Sequence, residues 1–482
     1  MKRRDFIRTI GAGAAIAAAG PALAQEKPMR PNILFALADD WSWPQSHGVE
    51  DPVLKTPTWD RLAREGVVFR NAYVSAPSCT PSRGAMLTGQ CHWRLEEGGD
   101  LWSILPAKFA VYPDLLEAAG YHVGFCRKGW GPGNEKGGGR TRNPAGNRYR
   151  SLADFLAKRP KGKPFCFWFG SFDPHRGYKL RSGVQSGMDP TRVKLPACLP
   201  DDPIVRSDLC DYYWEVQRFD RETGEMLELL EKAGELDNTI VVMSGDNGLP
   251  FPHCKSNLYD TGTRVPLAVM WKAKAKGGRA VDDFVSMADL APTFLEAAGL
   301  KPPHAMTARS FLGILLSGKS GQVDPKRDHV LTGMERHAWA RPGGLGYPMR
   351  AIRTHDFLYI RNFKPDRWPA GDPESYGDID GSPTKTFMMK HRGDPKVKPL
   401  FALAFGKRPA EELYDLRKDP GQLRNVADDP AYADARKKLA DQLAAELKAT
   451  ADPRILGKGD VFDTYPYVPR MRKRKPKPKK GR

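Results

Sequence analysis

Two apolar runs, Asn32-Ile33-Leu34-Phe35-Ala36-Leu37-Ala38 and Thr239-Ile240-Val241-Val242-Met243-Ser244, lie far apart in the chain, and each is followed by side chains able to hold a metal. The first stops on Asp39-Asp40, the second on Gly245-Asp246-Asn247-Gly248. Continuous apolar runs of this length are the pattern of strands buried on both faces, which belong to a parallel sheet covered by helices. Ligands in such sheets gather beyond the carboxyl ends of the strands, so two acidic strand ends can converge on one cation. Three carboxylates and an amide oxygen are hard donors that suit calcium or magnesium rather than zinc. Taken singly, either pair could equally serve a turn or a helix cap.

Between these runs stands Cys79-Thr80-Pro81-Ser82-Arg83-Gly84-Ala85-Met86-Leu87-Thr88-Gly89. Read by propensity it is a helix start behind a buried cysteine, since Thr80 and Ser82 are good caps and Pro81 suits a first helical position. The same run is similar to the signature of the formylglycine-dependent type I sulfatases, and the acidic strand ends occur in the order that family needs. The resemblance implies that a formylglycine-generating enzyme oxidises Cys79 to formylglycine, whose aldehyde hydrates to a geminal diol. It implies that Arg83 steadies the diol and the metal ligands. It also implies that Asp39, Asp40, Asp246 and Asn247 bind one Ca2+ completed by a hydroxyl of modified Cys79. The fold it implies is α/β and alkaline-phosphatase-like: a large, mixed, mostly parallel sheet flanked by helices, with a small C-terminal α+β subdomain.

Four further stretches extend the resemblance. Gly120-Tyr121-His122-Val123-Gly124-Phe125-Cys126-Arg127-Lys128-Gly129-Trp130 is similar to the second sulfatase signature, with Lys128 on the lysine that holds the modified residue and the sulfate. It departs at Val123, Arg127 and Trp130, the last standing where a histidine is common, so Trp130→His is expected to be tolerated. The Gly-rich residues 129 to 139 lack a phosphate-loop Gly-Lys-Ser/Thr and read as a flexible loop beside the site. Phe165 to Phe172 reads as a strand feeding Asp173-Pro174-His175-Arg176, which looks like the heparan N-sulfatase branch. There His175 would protonate the leaving group; a turn-capping histidine is the alternative. Lys255, in the block from Asp246 to Tyr259, takes the position of the residue that neutralises bound sulfate, against a solvated loop lysine. His253 is the reserve candidate for the acid. Tyr347 to Arg350 also resembles the N-sulfatase branch, and the loop around Glu335-Arg336-His337 is expected to set specificity, with His337 either in a subsite or in a surface or core role.

The 482 residues suffice for a large domain and a smaller one. Residues 1–24, with Lys2-Arg3-Arg4-Asp5-Phe6 ahead of a small apolar run and Ala22-Leu23-Ala24, resemble a twin-arginine signal, implying export by that machinery to the periplasm or outside the cell. The catalytic domain is expected at 25–330, the C-terminal subdomain at 331–465 and a basic disordered tail at 466–482. Net charge is +19, and Arg470 to Arg482 carries nine Lys/Arg and no acid. Export argues against nucleic acid as the partner, leaving a tether to an anionic polymer or a plain solvated tail. No Cys-x-x-Cys pair supports zinc. The substrate expected is a sulfated amino sugar, glycan or other sulfate ester. The alternatives are a phosphonate or phosphate monoester hydrolase of the same superfamily, or a catalytically silent glycan-binding relative.

Overall fold

The apolar run Asn32–Ala38 forms strand β1, with all seven residues buried. It is followed in chain order by β2 (Val67–Tyr73), β3 (His122–Arg127), β4 (Asn147–Arg148), β5 (Phe165–Gly170), β6 (Thr239–Gly245), β7 (Leu267–Met270) and β8 (Arg279–Ser286). These make one eight-stranded sheet in the order β4-β3-β5-β1-β6-β7-β2-β8, in which β7 alone runs against its neighbours. This is the expected mixed, mostly parallel sheet. Alternation along β1 explains why its sequence is apolar throughout: Ile33, Phe35 and Leu37 enter the core on one face, Leu34, Ala36 and Ala38 the core on the other. Helices cover both faces. The 30-residue helix Pro203–Lys232 packs Val205, Leu209, Val216 and Phe219 on one side, and Leu116 and Phe294 of two shorter helices pack on the other. Asp202 caps the long helix, its carboxylate accepting the Ile204 N–H at 2.8 Å ahead of Pro203.

The computed structural model describes residues 30–43 and 51–468. The expected signal at 1–24 and the basic run from Arg470 lie outside them. Residues 466–468, counted with the tail on sequence, are described, and the Val468 N–H donates to the Trp102 carbonyl at 2.6 Å. No helix among the described residues is long and apolar enough to cross a membrane.

The second sheet is antiparallel and comprises β9 (His329–Met334), β10 (Met349–Thr354), β11 (Phe357–Asn362) and β12 (Glu411–Asp415), in the order β12-β11-β10-β9. Helix Ala433–Ala449 lays Leu439, Leu443 and Leu447, one stripe at four-residue spacing, against Ile352, Tyr359 and Leu413. Two residues expected in a specificity loop are instead structural. Glu335 is buried and accepts hydrogen bonds from Arg350 (2.6 Å) and Arg454 (2.7 Å), while Arg350 also grips Asp452. Arg336 is buried too, donating to the carbonyls of Tyr465 and Pro466 with its side chain 3.2 Å from Asp100. Charges this deep persist because each is paired and hydrogen-bonded.

A largely buried ion pair links the second sheet to the segment between β6 and β7: Arg353 of β10 donates twice to Asp260, both contacts at 2.9 Å. Burial pushes the Asp260 carboxyl up, but Arg353 and then Arg264 outweigh it and hold it at about 2. A carboxyl depressed on folding adds stability above its unfolded pKa of about 3.9, and loses it as pH falls through the folded value. Asp260→Asn is therefore expected to cost about 2 kcal/mol at neutral pH and to flatten the loss of stability between about pH 4 and pH 2. Denaturant unfolding across that range checks it; parallel pH profiles for wild type and variant would contradict it.

Candidate active site

Four neighbouring parallel strands, β3, β5, β1 and β6, end in step and deliver the site. Register pairs Arg127 of β3 and Leu37 of β1 with Gly170 of β5, and Ala38 with Gly245 of β6. Lys128, His175, Asp39-Asp40 and Asp246-Asn247 follow these ends. Their crowding explains the glycines: a Cβ on Gly170 would sit 1.6 Å from the Lys128 carbonyl, and one on Gly245 2.2 Å from that of Trp41. Arg127 and Asp40 leave their strands with positive φ, 59° and 74°, a conformation that costs a non-glycine residue energy and that the surrounding packing must enforce.

Cys79 opens helix Cys79–Thr88, all ten residues of which are buried, and its Sγ donates to Asp39 Oδ1 at 3.3 Å. The positive end of the helix therefore faces the carboxylates. One turn on, Arg83 ties two strand ends together: its Nε donates to Asp246 Oδ2 at 2.7 Å, and one terminal nitrogen donates to the carbonyls of Lys128 (3.0 Å) and Gly129 (2.9 Å). Lys128 Nζ donates to Asp39 Oδ2 at 2.5 Å and Lys255 Nζ to Asp40 Oδ2 at 2.8 Å. His175 Nδ1–H donates to the Arg176 carbonyl at 2.5 Å, which turns Nε2 toward Asp40 Oδ2, 4.0 Å away. Asp39, Asp40, Cys79, Arg83, Lys128, His175, Asp246 and Lys255 thus converge.

Ligand atoms of Asp39, Asp40, Cys79 and Asp246 lie within 4.8 Å of one another. Asn247 donates its amide N–H to Asp40 Oδ1 at 2.6 Å, and its own Oδ1 is buried with no hydrogen-bond partner, an oxygen donor left for a cation. Electrostatics points the same way. Burial pushes Asp246 up, reinforced by Asp39 and Asp40 against the pull of Arg83. Burial also raises Asp39, but Lys128, His175 and Arg83 overcome it and hold the carboxyl well below its usual range. Burial, with Asp39 beside it, pushes the Cys79 thiol far above its ordinary value, so the unmodified side chain is a protonated, poor nucleophile. The residues present fit a hard divalent cation.

A sulfatase family model matches residues 31–300, and a second, for the C-terminal region of N-sulphoglucosamine sulphohydrolase, matches 252–368. The chain belongs to the sulfatase family. It is accordingly a sulfuric ester hydrolase. It is 29% identical to human N-sulphoglucosamine sulphohydrolase over 90% of this chain and 93% of that one. It is 25% identical to an ulvan-active sulfatase of Formosa agariphila over 90% of this chain and 78% of that one. Among solved structures it shares its fold with a protein captured with its substrate D-glucosamine-2-N,6-O-disulfate (TM-score 0.65, 20% identity, 88% of this chain and 98% of the other). It shares it also with the phosphonate monoester hydrolase of Silicibacter pomeroyi (TM-score 0.66, 17% identity, 88% and 97%).

Sequence reasoning missed one member of this sulfatase site and left a second undecided. Asp380 comes from the stretch between β11 and β12, and its Oδ2 lies 3.2 Å from Lys255 Nζ. Burial pushes its carboxyl up, yet Lys255 and His175 hold it well below the usual range. Nothing in Asp378-Ile379-Asp380-Gly381 announces this, because the proximity is made by docking of the C-terminal part. His337 is buried with Nδ1 2.8 Å from Ser78 Oγ, beside Cys79, which places it at the site rather than on the surface. His253, by contrast, is a core histidine: it stacks on Tyr259 at 4.0 Å and bonds the Leu403 carbonyl, and burial pushes its pKa down to about 3.

Two expectations around Lys128 are overturned. The Gly-rich segment is packed rather than flexible: a Cβ on Gly129 would meet Asn143 Oδ1 at 2.5 Å, one on Gly133 the Ser103 carbonyl at 2.5 Å, and Thr80 Oγ1 donates to the Pro132 carbonyl. Trp130 is buried in the core with Leu95, Leu105 and Phe125, its backbone clasped on both sides by the Asn143 amide. Its Nε1 lies 3.6 Å from where a Cβ on Gly84 would stand, so the indole fills the space behind helix Cys79–Thr88. Trp130→His would leave a cavity there and is expected to cost about 3 kcal/mol, read as a lowered denaturant midpoint. An unchanged midpoint would contradict this.

Proposed function

We propose that this sulfatase removes sulfate from a sulfated amino sugar or related glycan, using formylglycine made from Cys79 and one calcium ion. The observation that carries the reading is the meeting of Cys79 with Asp39, Asp40, Asp246 and Asn247 inside a ring formed by Arg83, Lys128, Lys255 and His175. Charge balance supports a metal. Asp39, Asp40, Asp246 and Asp380 face three permanent cations, Arg83, Lys128 and Lys255, a net −1 that would repel a sulfate ester. A divalent ion held by Asp39, Asp40, Asp246 and Asn247 supplies two positive charges for the sulfuryl oxygens and lowers the pKa of a neighbouring hydroxyl. Modification supplies what a thiol lacks, a hydrated aldehyde whose second hydroxyl lets sulfate leave without water attacking sulfur.

The chain's own groups then have separable tasks. Lys128 and Lys255 stand on either side of the carboxylates and neutralise charge on the sulfuryl oxygens, in a buried site where such charges act strongly. Arg83, anchored to two strand ends, fixes the modified residue. His175, half-exposed with Nε2 facing inward, gives a proton to the departing oxygen or nitrogen. Similarity to N-sulphoglucosamine sulphohydrolase and to the ulvan-active sulfatase supports a carbohydrate substrate. Residues 1–24 support export through the twin-arginine route, with calcium bound and Cys79 modified before translocation.

Cys79→Ala is expected to abolish turnover with the fold intact, and His175→Ala to cost about 10²- to 10⁴-fold on sulfamates and alkyl sulfates but far less on activated aryl sulfates. Equal losses on both leaving groups would remove His175 from proton donation. Assaying sulfate esters, sulfamates and phosphonate monoesters side by side tests the substrate reading; a preference for phosphonates would sink it. Chelation should abolish activity and lower the melting temperature, with calcium restoring both. Saturation at a hundredfold excess over Kd corresponds to about 2.7 kcal/mol. Full activity after exhaustive chelation, with zinc in the protein, would refute the calcium assignment.

A further inference from the structure

Among the described residues two aromatic side chains are left strongly exposed, Phe172 (56%) and Trp339 (53%). Both stand in loops that carry a histidine of the site: Phe172 three residues before His175, and Trp339 two residues after His337. Apolar rings in water are a cost that a folded chain usually avoids, and both of these are within three residues of a histidine of the site.

Trp339 is held in place by its surroundings. Gly344 lies beneath the indole, where a Cβ would come within 2.3 Å of the ring, and its φ of 69° suits glycine. Tyr467 packs on Trp339 with ring centres 5.4 Å apart, and Trp102 packs on Tyr467 at 6.5 Å. The Ala338 N–H donates to Asp378 Oδ1 at 2.8 Å and Arg341 donates to Asp378 Oδ2 at 2.7 Å, which fixes the turn on both sides of Trp339.

Two independent chains of contacts connect this cluster to the residues flanking Cys79. Ser78 bonds His337, and two residues of chain, at most about 8 Å, lead to Trp339. Thr80 bonds the Pro132 carbonyl, Gly133 bridges to Ser103, and Trp102 is the preceding residue. The aromatic group is therefore tied, through the residues on either side of Cys79, to the start of helix Cys79–Thr88.

We infer that Trp339, backed by Tyr467 and Trp102, forms a subsite that stacks the pyranose ring next to the sulfated unit. The weakly positive C–H face of a sugar ring complements the negative face of an indole. One exposed indole is too small a patch for a protein partner but matches the size of one sugar. The inference rests on the carbohydrate reading above. It adds that the enzyme prefers a sulfated end of a longer chain over a free sulfated monosaccharide.

The test compares the metal-loaded, modified enzyme with Trp339→Ala and Trp339→Phe. The probes are glucosamine N-sulfate, sulfated tetrasaccharides from heparin and from ulvan, the same tetrasaccharides desulfated, and inorganic sulfate. Trp339→Ala is expected to weaken binding of the preferred desulfated tetrasaccharide, followed by tryptophan fluorescence and calorimetry, by about tenfold. KM for its sulfated form should rise similarly, Trp339→Phe should recover most of the loss, and inhibition by inorganic sulfate should stay within about twofold. If no tetrasaccharide binds wild type, or binding is the same in Trp339→Ala, the subsite is refuted even where the monosaccharide is hydrolysed. If phosphonate esters are the better substrates but tetrasaccharide binding still depends on Trp339, the substrate reading fails and the subsite stands.

Discussion

Arg83 is the constraint on which the site's geometry turns. Its guanidinium is buried and fans out to Asp246 after β6 and to the Lys128 and Gly129 carbonyls after β3, from a helix whose first residue is Cys79. One side chain therefore sets the distance between the reactive position, the metal ligands and a sulfate-binding lysine. The arrangement holds only while Asp246 is ionised: an uncompensated guanidinium this deep would cost several kcal/mol. The planar, permanently charged fork explains why arginine serves here and lysine could not.

The rest of the site completes that clamp from further away in sequence. Asp378 receives Arg341 and the Ala338 N–H, and its own carbonyl accepts from Ser256 Oγ, next to Lys255. Two positions on, Asp380 meets Lys255 itself. The C-terminal part thus presses a carboxylate against the lysine that Asp40 already holds. It also places His337 against Ser78, whose hydroxyl would otherwise be free to cap the helix, since no side-chain cap bond is formed there.

How much of this could be read from sequence follows from how local each feature is. A strand buried on both faces must be apolar throughout, so β1 and β6 were legible, and the residues at their ends with them. The four-spaced leucine stripe of helix Ala433–Ala449 is as local, whereas β10 is buried at its first five positions and shows no alternation. Docking between distant segments leaves no such trace, so Asp380 stayed hidden, as did the buried ion pairs of Glu335 and Arg336 in the loop that carries His337 and Trp339. At Trp130 and the following glycines, composition misled: glycine-rich chain suggested flexibility, whereas the missing Cβ atoms allow backbone to pass within contact distance of Ser103 and Asn143.

These contrasts divide the loops above the sheet into two kinds. Loops bearing Lys128, Asp39-Asp40 and Asp246 are buried, cross-bonded and crowded by glycines, so their geometry is fixed before substrate arrives, which electrostatic catalysis requires. Segments bearing Phe172 and Trp339 are fixed at the backbone but leave their rings in water, where contact with a ligand brings the gain that burial in the fold would have brought. A sulfate group is small and the same in every substrate, so its pocket can be rigid and closed. The carbon skeleton attached to it varies, so discrimination falls to the exposed rim, where exchanging one ring alters what is bound while Arg83 and the strand ends beneath it stay in place.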